Sequence, residues 1–504
     1  MTKSIKSPHL FAFLVLLSAL SPAFAQAPTP AKPNIVYILA DDLGYGDVQA
    51  LNPQRGKIPT PHLDRFAAEG MTFLDAHGGS SVCTPTRYGL MTGRYAWRTR
   101  LQQGVLDGGN EEPLISADRL TLPGFLRQQG YATACIGKWH LGYQSDGEIK
   151  KTDATLTGRS MGPPLGAHII GGPVTRGFDY FWGCSNARTM ASLVENDRVV
   201  EILPPIEMLP RLTERTLDYV AEKAPAAKSG HPFFLYVALT APHLPLVPGP
   251  EWQGKSPLGP YGDFVMQTDD SVGRILAALE RNGLVENTMV IVASDNGCAV
   301  QVHVDRLETQ GHFASAQYRG YKTDIWDGGH RVPFFVRWPG IVKPAGESEA
   351  TICLGDFMST TADMLGVQLP ENAAPDGVSF LAALYGKPIP SVREAIVHHS
   401  TKGEFAIRDG KWKLELGGGS GGASKPGNEE AVRAGLPDAQ LYDMRADPAE
   451  TTNLVTTHGA EAKRLLKLLQ AYVRRGRSTP GPELSNDVPV KLPEPASILA
   501  AGVR

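Results

Sequence analysis

Cys83 stands in the run Cys83-Thr84-Pro85-Thr86-Arg87, among polar and proline neighbours. Thr84 and Pro85 suit a helix start, and Thr86 to Arg94 can continue it. Cys83 then falls at a helix N-terminus, where the dipole is positive. Arg87, one turn on, adds a fixed charge, so the place favours a thiolate or a bound anion. Asp41-Asp42 and Asp295-Asn296 are a second group. Adjacent carboxylates repel and need a cation or donors. Together the four side chains make an oxygen-rich set that suits calcium or magnesium and not zinc. The third group is basic: Lys138 and His140 in Gly137-Lys138-Trp139-His140, His243 after Ala241-Pro242, and Lys322. A helix N-terminus, a carboxylate cluster and several bases together predict an anion site over a metal.

These groups need a scaffold. Asn34 to Ala40 is a continuous apolar, β-branched run, as in a buried parallel strand. Ala132 to Ile136, Phe233 to Leu239 and Met289 to Ala293 are similar. Helical patterns lie between them at Leu63–Glu69, Leu120–Gln129, Leu212–Ala224 and Tyr261–Asn282. The alternation predicts an α/β fold, a large and mostly parallel sheet between helices. Ligands gather at the carboxyl ends of such strands. Asp41-Asp42 and Asp295-Asn296 occupy that type of position, while Asp269-Asp270 in the long helix reads as surface or cap. After about residue 385 the pattern changes. Ala395–His399, Phe405–Arg408 and Trp412–Leu416 read as short antiparallel strands, Gly417–Gly427 as a mobile loop, and Ala460–Arg475 as an amphipathic helix. The predicted organisation is therefore a leader over 1–25, a catalytic domain over 26–385, a smaller α+β part over 386–478 and an extended tail over 479–504.

Composition sets limits. A net charge of -3 excludes the basic excess of a nucleic-acid binder, so anion selectivity must be local. Lys3 and Lys6, the apolar run Leu10–Leu20 and Ala23-Phe24-Ala25 form a signal-peptide pattern cleaved near Ala25. Secreted or periplasmic location without stable membrane insertion follows. Five cysteines are too few for a disulfide-built scaffold and leave at least one unpaired within the chain. Cys135, in an apolar run, reads as core.

The run CTPTRYGLMTGR from Cys83 to Arg94 resembles the C-x-P-x-R signature of type I sulfatases, within the alkaline phosphatase superfamily. PNIVYILADDLGYGD, GKWHLG, APH, SDNG and LYDMRADPAETTNL are similar to other blocks of that family, in the family's order. The resemblance implies an alkaline phosphatase-like fold and hydrolysis of sulfate monoesters, with a carbohydrate the expected carrier. It implies that a maturation enzyme oxidises Cys83 to formylglycine, whose hydrate is the nucleophile. One calcium is then held by Asp41, Asp42, Asp295, Asn296 and residue 83, and Arg87 fixes residue 83 and the carboxylates. Lys138, His243 and Lys322 bind sulfate oxygens, with His243 or Lys322 protonating the leaving alcohol. His140 serves breakdown of the residue-83 ester. A phosphonate or phosphodiester hydrolase, or a non-catalytic binder of sulfated glycans, remains an alternative.

The chain also departs from the family pattern. Asp327 stands where Glu is more usual and His330 where an apolar residue is, both expected to shape the pocket. His303, Asp305, Arg306 and His312 are candidates for leaving-group contact, and Trp97, Arg98 and Arg100 weaker ones.

Overall fold

The Asn34–Asp41 strand, buried at every position, runs through the centre of a sheet in the computed structural model of the chain. The structure describes residues 32–500 except 109, 149, 152–160, 188 and 391, together with 1, 2 and 4. The expected leader and its cleavage site lie outside the described residues. Lys32–Arg504 forms one compact unit.

Among the described residues the main sheet has ten strands. Its order is Arg198–Ile202, Ser192–Glu195, Tyr180–Cys184, Ala132–Lys138, Phe233–Pro242, Asn34–Asp41, Thr288–Ser294, Phe334–Arg337, Met71–Phe73 and Gly346–Ser348. The consecutive strands from Tyr180–Cys184 to Thr288–Ser294 are parallel, in the register Ile136↔Val237, Ile38↔Val237 and Ile38↔Val292. Alternation along each strand feeds a separate core on each face. Ile35, Tyr37 and Leu39 pack with Tyr88, Leu90, Phe125 and Phe357. Val36, Ile38 and Ala40 pack with Phe66, Met208, Leu212, Phe264 and Ile275. Each fully buried side chain of this size contributes about 1.5–3 kcal/mol, so both faces are held mainly by apolar burial.

The predicted helices form as Pro61–Glu69, Leu122–Gln128, Pro205–Lys228 and Pro260–Arg281. Asp269 is buried and accepts from the His62 and Leu63 backbone N–H groups, so it caps a neighbouring helix. A second sheet is antiparallel, in the order Ile396–His399, Phe405–Asp409, Trp412–Glu415 and Gln440–Asp443. The Gly459–Arg475 helix covers it with Ala462, Leu465, Leu469 and Tyr472.

Two expectations are corrected. The Gly417–Gly427 segment is pinned, not loose. Gln440 donates to Gly417 O and Gly419 O at 2.9 and 3.0 Å, Ile325 N donates to Ser420 O at 2.7 Å, and Asp324 Oδ1 accepts from the Ala423 and Ser424 N–H groups, both at 3.0 Å. Small residues here permit close packing against Thr323–Ile325 rather than mobility. The described part of the tail includes a short helix, Ala496–Ala500, so it is not extended throughout. Cys135 is core as expected, and all five cysteines are buried and unpaired.

Candidate active site

The parallel strands end on one edge, and that edge carries the predicted groups. Asp41 closes the Asn34–Asp41 strand, Lys138 closes Ala132–Lys138, and His243 follows Phe233–Pro242. Asp295 and Asn296 follow Thr288–Ser294. Cys83 is the first residue of the Cys83–Thr92 helix, preceded by extended Val82 and closed by left-handed Gly93. Lys322 arrives on a loop whose backbone is stitched to the segment before Cys83. Lys322 N donates to Cys298 O at 2.8 Å, Thr323 N to Ser81 O at 2.8 Å, and Thr401 N to Thr323 O at 3.0 Å.

Arg87 is fully buried beneath the site. Its Nε donates to Asp295 Oδ2 at 3.0 Å and its Nη2 lies 2.8 Å from the same oxygen. Nη2 is also 3.5 Å from Asp41 Oδ1, and Nη1 donates to Lys138 O and the Tyr236 hydroxyl at 3.2 and 3.3 Å. Lys138 Nζ donates to both oxygens of Asp41, at 2.8 and 2.7 Å. Lys322 Nζ lies 2.6 and 2.8 Å from the Asp42 oxygens. Asn296 Nδ2 donates to Asp42 Oδ1 at 2.7 Å. The adjacent carboxylates thus take separate lysines, and Asp42 holds a left-handed backbone, φ 67°, that turns its side chain away from Asp41's partner.

Burial is the largest influence on Asp41, Asp295, His243, His140 and Cys83. It pushes Asp41 upward, but Lys138, His243, Arg87 and Lys322 outweigh it and hold the carboxyl well below its ordinary range. Burial raises Asp295 to about 6, against the pull of Arg87. Burial lowers His243 to about 4, with Lys322 adding to the effect. Burial, then Lys138, puts His140 well below its usual value. Both imidazoles are therefore neutral at neutral pH. The expected thiolate is not favoured: burial raises the Cys83 thiol, and Lys138 and Lys322 only partly offset it. The helix N-terminus is too enclosed for its dipole to win.

His140 has a fixed tautomer. Its Nε2 donates to Leu106 O at 2.8 Å, while Nδ1 is buried without a hydrogen-bond partner. The available lone pair is on Nδ1, as a general base requires. His243 Nδ1 donates to Leu244 O at 2.5 Å, which leaves Nε2, 3.6 Å from Asp42 Oδ2, as the nitrogen facing the site.

Asp42, Cys83, Lys138, His140, His243 and Lys322 line one cavity of about 530 Å³. Its outer walls are mixed, with Leu106, Leu244 and Pro245 beside Asn186, Gln301 and Thr401. The donor set suits a hard cation: carboxylates of Asp41, Asp42 and Asp295, plus Asn296 Oδ1, which is buried and has no hydrogen-bond donor.

Other expectations fail. Asp327 and His330 are fully buried and are not cavity residues. Trp97 and Arg98 are buried too, Arg98 gripping Asp376 through Nε and Nη2 at 2.9 and 2.8 Å. Arg100 donates to Pro113 O at 3.2 Å, away from the cavity wall. His312 is buried, 2.9 Å from Asp47 Oδ1, where it braces the turn after Asp42. His303, Asp305 and Arg306 are exposed and outside the cavity, which takes Ala299 and Gln301 from this segment instead. Asn186 and Leu106 escape the sequence reading. Asn186 lies just past the Tyr180–Cys184 strand, so recognising that strand would have found it. Leu106 acts through its carbonyl, which leaves no side-chain signal.

Paired carboxylates and bases over the carboxyl ends of a parallel sheet define an alkaline phosphatase-like hydrolase of anionic esters. The profile of the sulfatase family matches residues 33–367. The chain is 33% identical over 507 residues to an N-acetylgalactosamine-6-O-sulfatase of Bacteroides thetaiotaomicron, covering 88% of this chain and 94% of that one. It is 32% identical over 482 residues to human arylsulfatase A, covering 91% of each. A solved Bacteroides thetaiotaomicron sulfatase, described with the metabolism of multiple glycosaminoglycans, superposes with a TM-score of 0.75 at 31% identity, covering 88% and 99%. The chain belongs to the sulfatase family and is a sulfuric ester hydrolase.

Proposed function

We propose that this sulfatase is an exported, calcium-dependent enzyme that removes sulfate from a carbohydrate, with a formylglycine made from Cys83 by a maturation enzyme. The observation that carries the reading is the convergence of Cys83, Lys138, His140, His243 and Lys322 on one cavity above Asp41, Asp42, Asp295 and Asn296. The catalytic part spans 26–385, followed in sequence by a smaller part over 386–478 and a tail over 479–504. The pattern over residues 1–25 supports export, and no helix among the described residues is long and apolar enough to cross a membrane. A carbohydrate carrier is supported by the likeness to an N-acetylgalactosamine-6-O-sulfatase.

Asp41, Asp42, Asp295, Asn296 and residue 83 would hold the calcium, which supplies positive charge against an anionic ester. The hydrated aldehyde at residue 83 supplies two hydroxyls on one carbon, one to attack sulfur and one to release residue 83 again. Arg87 keeps Asp295 and Asp41 in place and neutralises them from below. Lys138 and Lys322, resting on site carboxylates, turn their ammonium groups to the sulfate oxygens and stabilise the transferring group. Lys322 gives a proton to the departing alcohol from its ammonium, or His243 passes one on after its Nε2 has taken it up from solvent. His140 Nδ1 takes the proton of the second hydroxyl, because Nε2 is committed to Leu106 O.

The test joins mass and turnover. The chain is produced in a host able to oxidise Cys83 and assayed on sulfated oligosaccharides, an aryl sulfate, a phosphate diester and a phosphonate. Intact mass should show SH and one H replaced by a carbonyl oxygen, and sulfate should be released from at least one oligosaccharide. Cys83→Ser should lose multiple turnover, having no second hydroxyl. Full steady-state activity in that variant would sink the mechanism. Faster phosphonate or diester cleavage would sink the substrate assignment.

A further inference from the structure

A cluster of histidines lies behind the nucleophile segment, outside the cavity. His77 belongs to the short Ala76–His77 strand, His330 ends the Asp327–His330 helical turn, and His398 sits on Ile396–His399 of the antiparallel sheet. All three are completely buried. One ring nitrogen from each falls within 4.8 Å of the other two.

The hydrogen bonds around the cluster fix where the lone pairs are. His77 Nε2 is 2.8 Å from Asp75 Oδ1, so it carries the proton; otherwise two acceptors would face each other. Arg408 Nη1, 3.2 Å from the same nitrogen, has a better acceptor in Asp75 Oδ1 at 2.9 Å. His330 Nε2 donates to Ile325 O at 3.1 Å. His398 Nδ1 donates to Gly78 O at 3.0 Å. Every imidazole has thus spent its N–H outward, on a carboxylate or a carbonyl. The remaining nitrogens are bare acceptors. His77 Nδ1 and His330 Nδ1 confront each other at 3.0 Å, and His398 Nε2 has no hydrogen-bond partner. Buried lone pairs without a donor are costly, and a facing pair repels.

We propose that His77, His330 and His398 form a structural site for a divalent transition metal, zinc, separate from the calcium site. Neutral imidazoles whose second nitrogen donates to a carboxylate or carbonyl are what zinc sites use, and the outward bond sets the ligating tautomer. Three nitrogens exclude calcium and magnesium, which take oxygen. Tetrahedral zinc with bonds of about 2.0–2.1 Å needs nitrogens about 3.3 Å apart. His77 Nδ1 and His330 Nδ1 are 3.0 Å apart, close to that value, and a ring nitrogen of His398 lies within 4.8 Å of one on each of the other two rings. His330 and His398 are stacked, centroids 3.9 Å and planes 11° apart, so binding one ion requires the two rings to splay.

The position gives the site a task. His77 and His330 come from segments beside the main sheet, and His398 from the antiparallel sheet, so zinc ties the two together. The Gly78 carbonyl bonded by His398 opens the run to Cys83, and Ser80 Oγ and Ser81 N both donate to His399 O, at 2.9 and 3.1 Å. The clip therefore also steadies the approach to the catalytic helix. His330 is one of the departures from the family pattern, and the cluster gives it a reason.

The experiment uses the full chain, purified without a histidine tag and dialysed against metal-free buffer. Elemental analysis should find about one zinc per chain, and His398→Phe and His330→Phe should each lower it about tenfold with calcium content unchanged. Phenylalanine keeps a stacked ring and removes the ligand. Cobalt chloride added to zinc-stripped wild type should give the visible bands of tetrahedral nitrogen-ligated cobalt, and zinc should displace them. That readout does not depend on the variants folding. Zinc below about a tenth of an equivalent with no cobalt bands, or equal zinc in wild type and both folded variants, overturns the proposal.

Discussion

Arg87→Met tests how far one buried guanidinium holds the site together. Methionine fills much of the volume but leaves Asp295 and Asp41 facing each other. Arg87 supplies the Asp295 ion pair at 2.8 Å, the Asp41 pair at 3.5 Å and two neutral hydrogen bonds. Removing one member of a buried pair costs about 3–5 kcal/mol, because the other charge stays buried. An unfolding entropy of about 2.1 cal/mol/K per residue amounts to about 1 kcal/mol/K for a chain this long, so Tm should fall by about 3–5 °C. The loss should depend on pH. Burial already raises Asp295 to about 6. Without Arg87 that carboxyl climbs further, so the native chain holds a proton that the unfolded chain has released. Stability then falls as pH rises through that window, and the deficit should be larger at pH 8 than at pH 6. Thermal unfolding monitored by circular dichroism, in chelator so that no cation compensates, is the assay. Asp295→Asn added to Arg87→Met should restore at least half of the loss, since the stranded charge is gone. A single variant within about 1 °C of wild type at pH 8, or a double variant whose losses simply add, would refute the reasoning.

Two further perturbations follow from buried geometry. Burial raises Glu404 to about 7 from an ordinary 4.5, so stability should fall by roughly 3 kcal/mol as pH rises from about 4.5 to about 7. Glu404→Gln should flatten that slope in a Tm-against-pH series; an unchanged slope would show that Glu404 is not the group responsible. Gly137 precedes Lys138 with φ 123°, and a Cβ there would lie 1.8 Å from Ala238 O. Gly137→Ala should cost more than about 2 kcal/mol and lower sulfate release by displacing Lys138, whereas wild-type Tm and turnover would contradict the close approach.

The local elements were legible because their signals are local. Asn34–Ala40 could only be a strand buried on both faces, and Thr84-Pro85 marked the start of the helix that carries Cys83. The short strands Tyr180–Cys184 and Phe334–Arg337 were not legible, since four or five apolar residues carry no decisive period. The Gly/Ser-rich Gly417–Gly427 run misled for a related reason: composition reports what a backbone permits, while packing against Thr323–Ile325 decides what it does.

Residue type and spacing by themselves predicted an anion site over a metal, from a cysteine at a helix start, carboxylates and an amide at strand ends and bases on the same edge. The resemblance of the ordered motifs to type I sulfatases supplied the reaction class. Only the tertiary structure decided the protonation and pairing of those groups. Burial, which no residue reports alone, keeps the Cys83 thiol protonated, fixes the His140 proton on Nε2 and puts Lys138 on Asp41 but Lys322 on Asp42. It also turned His330 from a candidate pocket residue into a neighbour of His77 and His398, because three segments far apart in the chain meet where water is excluded and every lone pair must find a partner.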